Sequence, residues 1–379
     1  MNVRNGLLAV FLLPAWLFGC GASPLTLSGL RVTDFQTEKD GKLTNLYVLK
    51  NKNEMEVCIT NYGARVVSIM VPDRDGKMED VVNGFSTIKE YMDQSQNFGS
   101  TVGRYIGRIL NATFTLDSIT HHLTPNTGPH SAHGGTPGFA ARIWDAEQLD
   151  LSAIKLSYLS VDGENGFPGN LEVIVIYRLT DDNKLDITYE AKTDKPTVVN
   201  LSHHSFFNIS GNMAGTIEDE ILYVNADCFT PYDSTKCVTG EFASVQGTPF
   251  DFTIPERIGN RIDEDDPQIN ITRGGYDHCW VLNTNGDESK LAASVYDEQS
   301  GRILEVYTNE PGLQVYTAGG LKGALVGKKG IAYPRRNSIC LETMHFQDSP
   351  NKPQFPSTVL RPGEKYHSRC IYKFGVRPI

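Results

Sequence analysis

Apolar and polar residues alternate along much of the chain with a period of two. In "KLDITYEAK", Leu185, Ile187, Tyr189 and Ala191 share one face, and Asp186, Thr188, Glu190 and Lys192 share the other. That alternation predicts a strand with one face buried. Residues 171–180 form a more continuous apolar run, the pattern of a strand buried on both sides. "LAASVYDEQSGRILEVYT" predicts a hairpin turning at Glu298-Gln299-Ser300-Gly301. Further strands are expected at 65–71, 156–160, 221–224, 279–282, 313–317 and 339–343, and a helical turn only at 86–92. The 35 glycines and 19 prolines fall mostly in the gaps, so long helices are not expected. No βαβ alternation, repeat or linker divides the chain. The predicted fold class is all-β, a large antiparallel β-sandwich, with one domain over 35–379.

The N-terminus breaks this period. "MNVRNGLLAVFLLPAWLFGC" carries Arg4 and then an uncharged apolar run from Leu7 to Phe18. That run is shorter than the ~20 residues a membrane-spanning helix needs, so it reads as a signal peptide. Its end, "LFGC", resembles a bacterial lipobox, with Gly19 before an acylated Cys20; Phe18 is atypical of that motif. The expected organisation is a lipoprotein-type signal at 1–19, a Ser/Thr-containing tether at 20–34, and then the fold. The expected location is outside the cytoplasm, facing periplasm or cell exterior, with membrane association only through the lipid on Cys20. An ordinary cleaved signal with an incidental cysteine is the alternative.

Composition narrows the partners. A net charge of −10 with no basic cluster repels phosphate backbones, so nucleic acid is not an expected partner. Besides Cys20 there are Cys58, Cys228, Cys237, Cys279, Cys340 and Cys370, with no CxxC pair or tight Cys/His cluster in sequence. This spacing argues against a zinc site, and buried thiols are the expected reading. Among the histidines, His133 sits in the loop "SAHGGTPGF", while His203 and His204 stand together inside an otherwise apolar run. Asp277 and His278 follow two glycines. Glu342 sits in "ICLETMHF", which should be buried; a carboxylate there costs several kcal/mol unless it is paired or used. On these residues alone, a structural ion pair and a functional carboxylate both fit Glu342.

Taken together, "VGRYIGRI", "SAHGGTPGF", "NLSHHSFFN", "GYDH", "PGLQVYT", "CLET" and "LRPGEKY" resemble, in order and spacing, the aldose 1-epimerase (galactose mutarotase) family. The resemblance runs from about residue 35 to 374. It implies a mutarotase-like supersandwich and an isomerase acting on a free monosaccharide such as galactose or glucose, with no cofactor and no metal. Against the family pattern "NLTNHxYFN", His204 aligns with the catalytic histidine, and His203 takes the place of an Asn. Glu342 aligns with the general base. Arg108, His133, Asp277 and Gln314 align with sugar-hydroxyl contacts. The pattern "GRxxNRI" is broken at one position, where Gly107 replaces the Asn.

The chemistry suits these residue types. Opening a pyranose ring requires a base for the C1 hydroxyl proton and an acid for the ring oxygen, roles that fit a carboxylate and an imidazole. Three alternatives remain: an epimerase of another sugar such as a hexose phosphate, or a lyase, on the same fold; a non-catalytic carbohydrate-binding lipoprotein; and a glycosidase, which would need two working carboxylates. For His203, a structural hydrogen bond, contact with the sugar and tuning of its neighbour's pKa all stay open.

Overall fold

The computed structural model describes residues 25–94, 97–272 and 274–377. Among these, three sheets carry the architecture, and every ladder is antiparallel. Nine strands form the largest sheet, in the order Asp145–Asp150, Ala153–Ser160, Leu171–Leu179, Lys184–Thr193, Tyr366–Val376, Arg302–Thr308, Ala293–Tyr296, Ile221–Val224 and Glu256–Arg257. Five strands form the second: Ala243–Ser244, Cys228–Thr230, Asp277–Val281, Gly312–Tyr316 and Cys340–Met344. The third has four, Leu46–Lys50, Glu56–Thr60, Arg65–Pro72 and Met78–Asp80.

The alternation explains how the sheets stack. Leu185, Ile187, Tyr189 and Ala191 are buried, as expected, and join one apolar cluster with Val173 and Val175 of the next strand. The same cluster takes in Val57, Ile59 and Ile69 of the four-stranded sheet and Trp280, Leu313 and Leu341 of the five-stranded one. The nine-stranded sheet therefore packs one face against the other two, which is a sandwich.

Three expectations need correction or placing. The 171–180 run is buried on one face only: Ile174 and Ile176 are half-exposed beside Glu190, Lys155 and Thr188. The outer face of this sheet is open, and long polar neighbours cover part of these isoleucines. The stretch expected as a tether packs onto the fold from residue 25. Leu30 is buried, the Leu27 N–H donates to Glu56 Oε1 at 2.6 Å, and the Ser28 and Ser68 hydroxyls lie 3.0 Å apart. The signal segment 1–19 and Cys20 lie outside the described residues. The helical turn is present as Ile88–Asp93, closed by a capping box between Thr87 and Glu90. A short helix at Pro267–Ile271, capped by Asp266, was not expected.

All six cysteines from Cys58 onward are free thiols, five of them buried and Cys228 half-buried. Among the described residues no helix is long and apolar enough to cross a membrane.

Candidate active site

Strand parity places the site. Gln314 pairs with Cys279 on one side and with Glu342 on the other, and Asp277 pairs with Tyr316. Directly opposed residues share a face, so Asp277, Gln314, Tyr316, Glu342 and Met344 all point the same way. The other face of these strands carries Trp280, Leu313, Val315 and Leu341, which belong to the core. One face of the five-stranded sheet thus builds the sandwich and the other lines a cavity of about 300 Å³. Arg108, His133, His204, Asp277, Gln314 and Glu342, the six residues singled out in the sequence, all line it.

Each is held by its neighbours. The strand Ser202–His204 pairs with Ser100–Val102, and the Ser202 hydroxyl donates to Thr343 O at 2.8 Å. The Asn200 amide accepts from the His345 N–H at 3.1 Å and donates to its carbonyl at 2.9 Å. Tyr372, reaching from the nine-stranded sheet, donates to Leu341 O at 2.6 Å. These bonds clamp His204 and Glu342 together, with Nε2 to Oε1 at 3.4 Å. His204 also stacks on Phe206, 5.0 Å between centroids and 20° between planes, and meets His133 edge-on at 5.7 Å. His133 itself rides on a left-handed turn (φ 52°). The next residue, Gly134, leaves no room for a side chain, since a Cβ would lie 2.0 Å from Gly103 O.

The electrostatics follow from burial. Burial lifts the Glu342 carboxyl well above its usual range, with Asp277 adding to the effect. Burial, reinforced by His133, depresses His204 well below an ordinary imidazole. Both shifts favour the neutral forms, so the pair carries one proton rather than two or none, and it rests on Glu342. Burial raises Asp277 too, while Arg108 and a hydrogen bond from Gln314 (2.8 Å) pull it back. Burial lowers His133 to about 4, with Arg108 contributing. Arg108 Nε, His133 Nδ1 and His204 Nδ1 are buried and find no protein partner. A ligand rich in hydroxyls could satisfy all three.

The histidine doublet separates cleanly. Adjacent strand residues face opposite ways, so His204 enters the cavity and His203 enters the interior. His203 is 1% exposed, with Nε2 2.7 Å from the Ser205 hydroxyl and its ring against Tyr177 and Tyr372. Burial lowers its pKa to about 3, so it stays neutral; sugar contact is not available to it. His278 likewise faces the core, stacked on Tyr232 at 4.8 Å.

Sequence reasoning missed several participants. Phe206, Tyr316 and Met344 form apolar walls, and Gln347 lines the cavity from beyond the end of the Cys340–Met344 strand. Their only sequence signal is a parity shared with, or proximity to, His204, Gln314 and Glu342. Cys340 is the buried thiol expected, but its place beside the site was not foreseen. It brings its sulfur within 4.8 Å of a His204 nitrogen and a Glu342 oxygen. Burial keeps this thiol well above its ordinary pKa, so at neutral pH it faces the pair as a protonated, uncharged group.

Comparisons with known proteins point to one family and fold. A family model described as aldose 1-epimerase matches residues 45–373. The chain is 40% identical to galactose mutarotase from Bos taurus over 86% of its length and 92% of that protein. It is 36% identical to aldose 1-epimerase from Escherichia coli strain K12, over 88% and 96% of the two chains. Among solved structures, it superposes on galactose 1-epimerase from Lactobacillus acidophilus with a TM-score of 0.80 and 30% identity, covering 90% of this chain and 98% of that one. An aldose epimerase homologue from C. elegans gives 0.82 at 29% identity, over 88% and 100%.

Proposed function

Because this chain belongs to the aldose 1-epimerase family, we propose that it interconverts the α and β anomers of free aldohexoses, galactose and glucose among them. The observation that carries the residue roles is the His204–Glu342 contact of 3.4 Å at the buried side of the cavity. The two oxygens that exchange protons in a cyclic sugar are bonded to the same carbon, C1. Their acid and base must therefore converge on one point, as this pair does.

The ring-opening form of the pair has its single proton on His204: Glu342, then a carboxylate, takes the proton of the C1 hydroxyl while His204 delivers one to the ring oxygen. The C1–O5 bond breaks, leaving an open-chain aldehyde and the pair in its neutral form. Rotation about C1–C2 presents the other carbonyl face. His204 then recovers its proton as O5 attacks, and Glu342 returns one to the new C1 oxygen. The pair ends as it began, so the reaction consumes nothing and draws on no redox or metal chemistry. Arg108, His133, Asp277 and Gln314 hold the hydroxyls of the turning sugar. Arg108 is the one cationic side chain lining the cavity among the described residues, which favours a neutral sugar over a sugar phosphate.

Polarimetry of freshly dissolved α-D-galactose and α-D-glucose tests this reading: the protein is expected to accelerate relaxation to the equilibrium rotation. No acceleration over buffer would sink it. The N-terminal "LFGC" supports a second part of the proposal, export followed by lipid anchoring at Cys20. Mass spectrometry of the mature N-terminus should find an acylated Cys20; an unmodified N-terminus at another residue would refute the anchor.

A further inference from the structure

One corner of the cavity is built unlike the rest, and its role deepens the epimerase reading on which it rests. Gly107 lines the cavity with left-handed backbone, φ 78°. A Cβ there would stand 2.5 Å from Gln347 Cγ and 2.9 Å from Cδ. Gln347 therefore fills the volume that any side chain at position 107 would enter.

The Gln347 amide is fully engaged, and the residue is 3% exposed. Its Nε2 donates to the Tyr232 hydroxyl at 2.7 Å and to Gln314 Oε1 at 3.1 Å, and its Oε1 accepts from the Arg108 N–H at 3.0 Å. Gln314 in turn donates from Nε2 to Asp277 Oδ1 at 2.8 Å and to Tyr232 at 3.3 Å. The chain of bonds has one direction. The Asp277 carboxylate accepts, so Gln314 must turn its nitrogen that way and its oxygen toward Gln347. One amide thereby fixes the orientation of Gln314 and the backbone of Arg108, and it reaches Asp277 through Gln314. Both of its N–H groups are spent on protein, so it has no donor left for a sugar.

We propose that Gln347 is a positioning residue that sets how tightly the monosaccharide is held, and that it works as a unit with Gly107, whose missing side chain admits it. The pair does by indirect bracing what a side chain at 107 would do by direct contact.

The test is a double-mutant cycle on KM and kcat, read by polarimetry with galactose and glucose. Gln347→Ala and Gln347→Met, the second keeping the bulk without the amide, should each raise KM about tenfold, with kcat within about threefold of wild type. Gly107→Asn alone should also raise KM, because it enters occupied space. Gly107→Asn with Gln347→Ala should recover KM to within about threefold of wild type, since asparagine tolerates a left-handed backbone and the two closest atoms, Cγ and Cδ, are then gone, leaving only the Cβ of position 347 at 3.2 Å. Additive losses in the double variant, or an unchanged KM in a well-folded Gln347→Met, would overturn the proposal. A wild type inactive in polarimetry would remove the epimerase reading alone. The same ranking of galactose Kd by titration calorimetry would then still support the pair, and its absence would refute it.

Discussion

The two largest sheets follow one rule of alternation and arrive at opposite chemistries. In Lys184–Thr193 the buried face is wholly apolar, and charges stand on the open face. Cys340–Met344 is buried along its whole length, and its second buried face carries Glu342. Polar side chains on an open face cost little and carry little information. A carboxylate on a closed face costs several kcal/mol unless it is used, so Asp277, Gln314 and Glu342 mark the working side. The nine-stranded sheet supplies stability and the five-stranded sheet spends some of it.

The sharpest way to break this contrast is at Glu342. Glu342→Gln and His204→Asn should each lower kcat by about 10² to 10⁴. The melting temperature should hold or rise in Glu342→Gln, because an awkwardly buried carboxylate is gone. Retained activity with lost stability would make the pair structural. The mirror experiment is Ile187→Ala in the large sheet, where about 2–5 kcal/mol of stability should be lost with kcat/KM nearly unchanged. Denaturant unfolding with polarimetry on the folded fraction reads both.

Two pH experiments refine the same contrast. The cavity pair needs one shared proton, so kcat/KM should be bell-shaped. It should fall on the acid side as the pair gains a second proton and on the alkaline side as it loses its only one, and Glu342→Gln should abolish the bell. His203, facing the interior, acts on stability instead. Its folded pKa of about 3 lies below the ordinary 6.5, so the unfolded chain binds the extra proton between these values. Stability is therefore full above about pH 6.5 and is lost as pH falls toward 3, by at most about 1.4 kcal/mol per pH unit from this group. His203→Asn should reduce that slope, to which His133 and His278 also contribute, while changing the kcat/KM profile far less than Glu342→Gln does.

Much of this was legible in the chain, for reasons that can be stated. Alternating segments such as 185–191 show their buried face directly, and Glu342 and His204 announced themselves as polar groups in apolar runs. Whether a sheet's second face is covered is a tertiary fact, which is why the apolar run at 171–180 was over-read. The segment from residue 25 looked like a tether because Leu27 and Ser28 find their partners about thirty and forty positions away, at Glu56 and Ser68 respectively. Gln347 was invisible for the same reason: its meaning lies in Gly107, Tyr232 and Gln314, none near it in sequence. The Asp266-Pro267 start of the short helix was a readable cap that its brevity concealed.

The three-residue strand Ser202–His204 has one more consequence. Pairing with a period of two means that a slip by one residue exchanges what faces the cavity with what faces the interior. In most strands such an error swaps a working side chain for a greasy one. Here the neighbour is a second imidazole, so residue type alone does not choose the register; the Ser202 hydroxyl on Thr343 O and the Asn200 amide on His345 hold the strand where His204 faces the ligand.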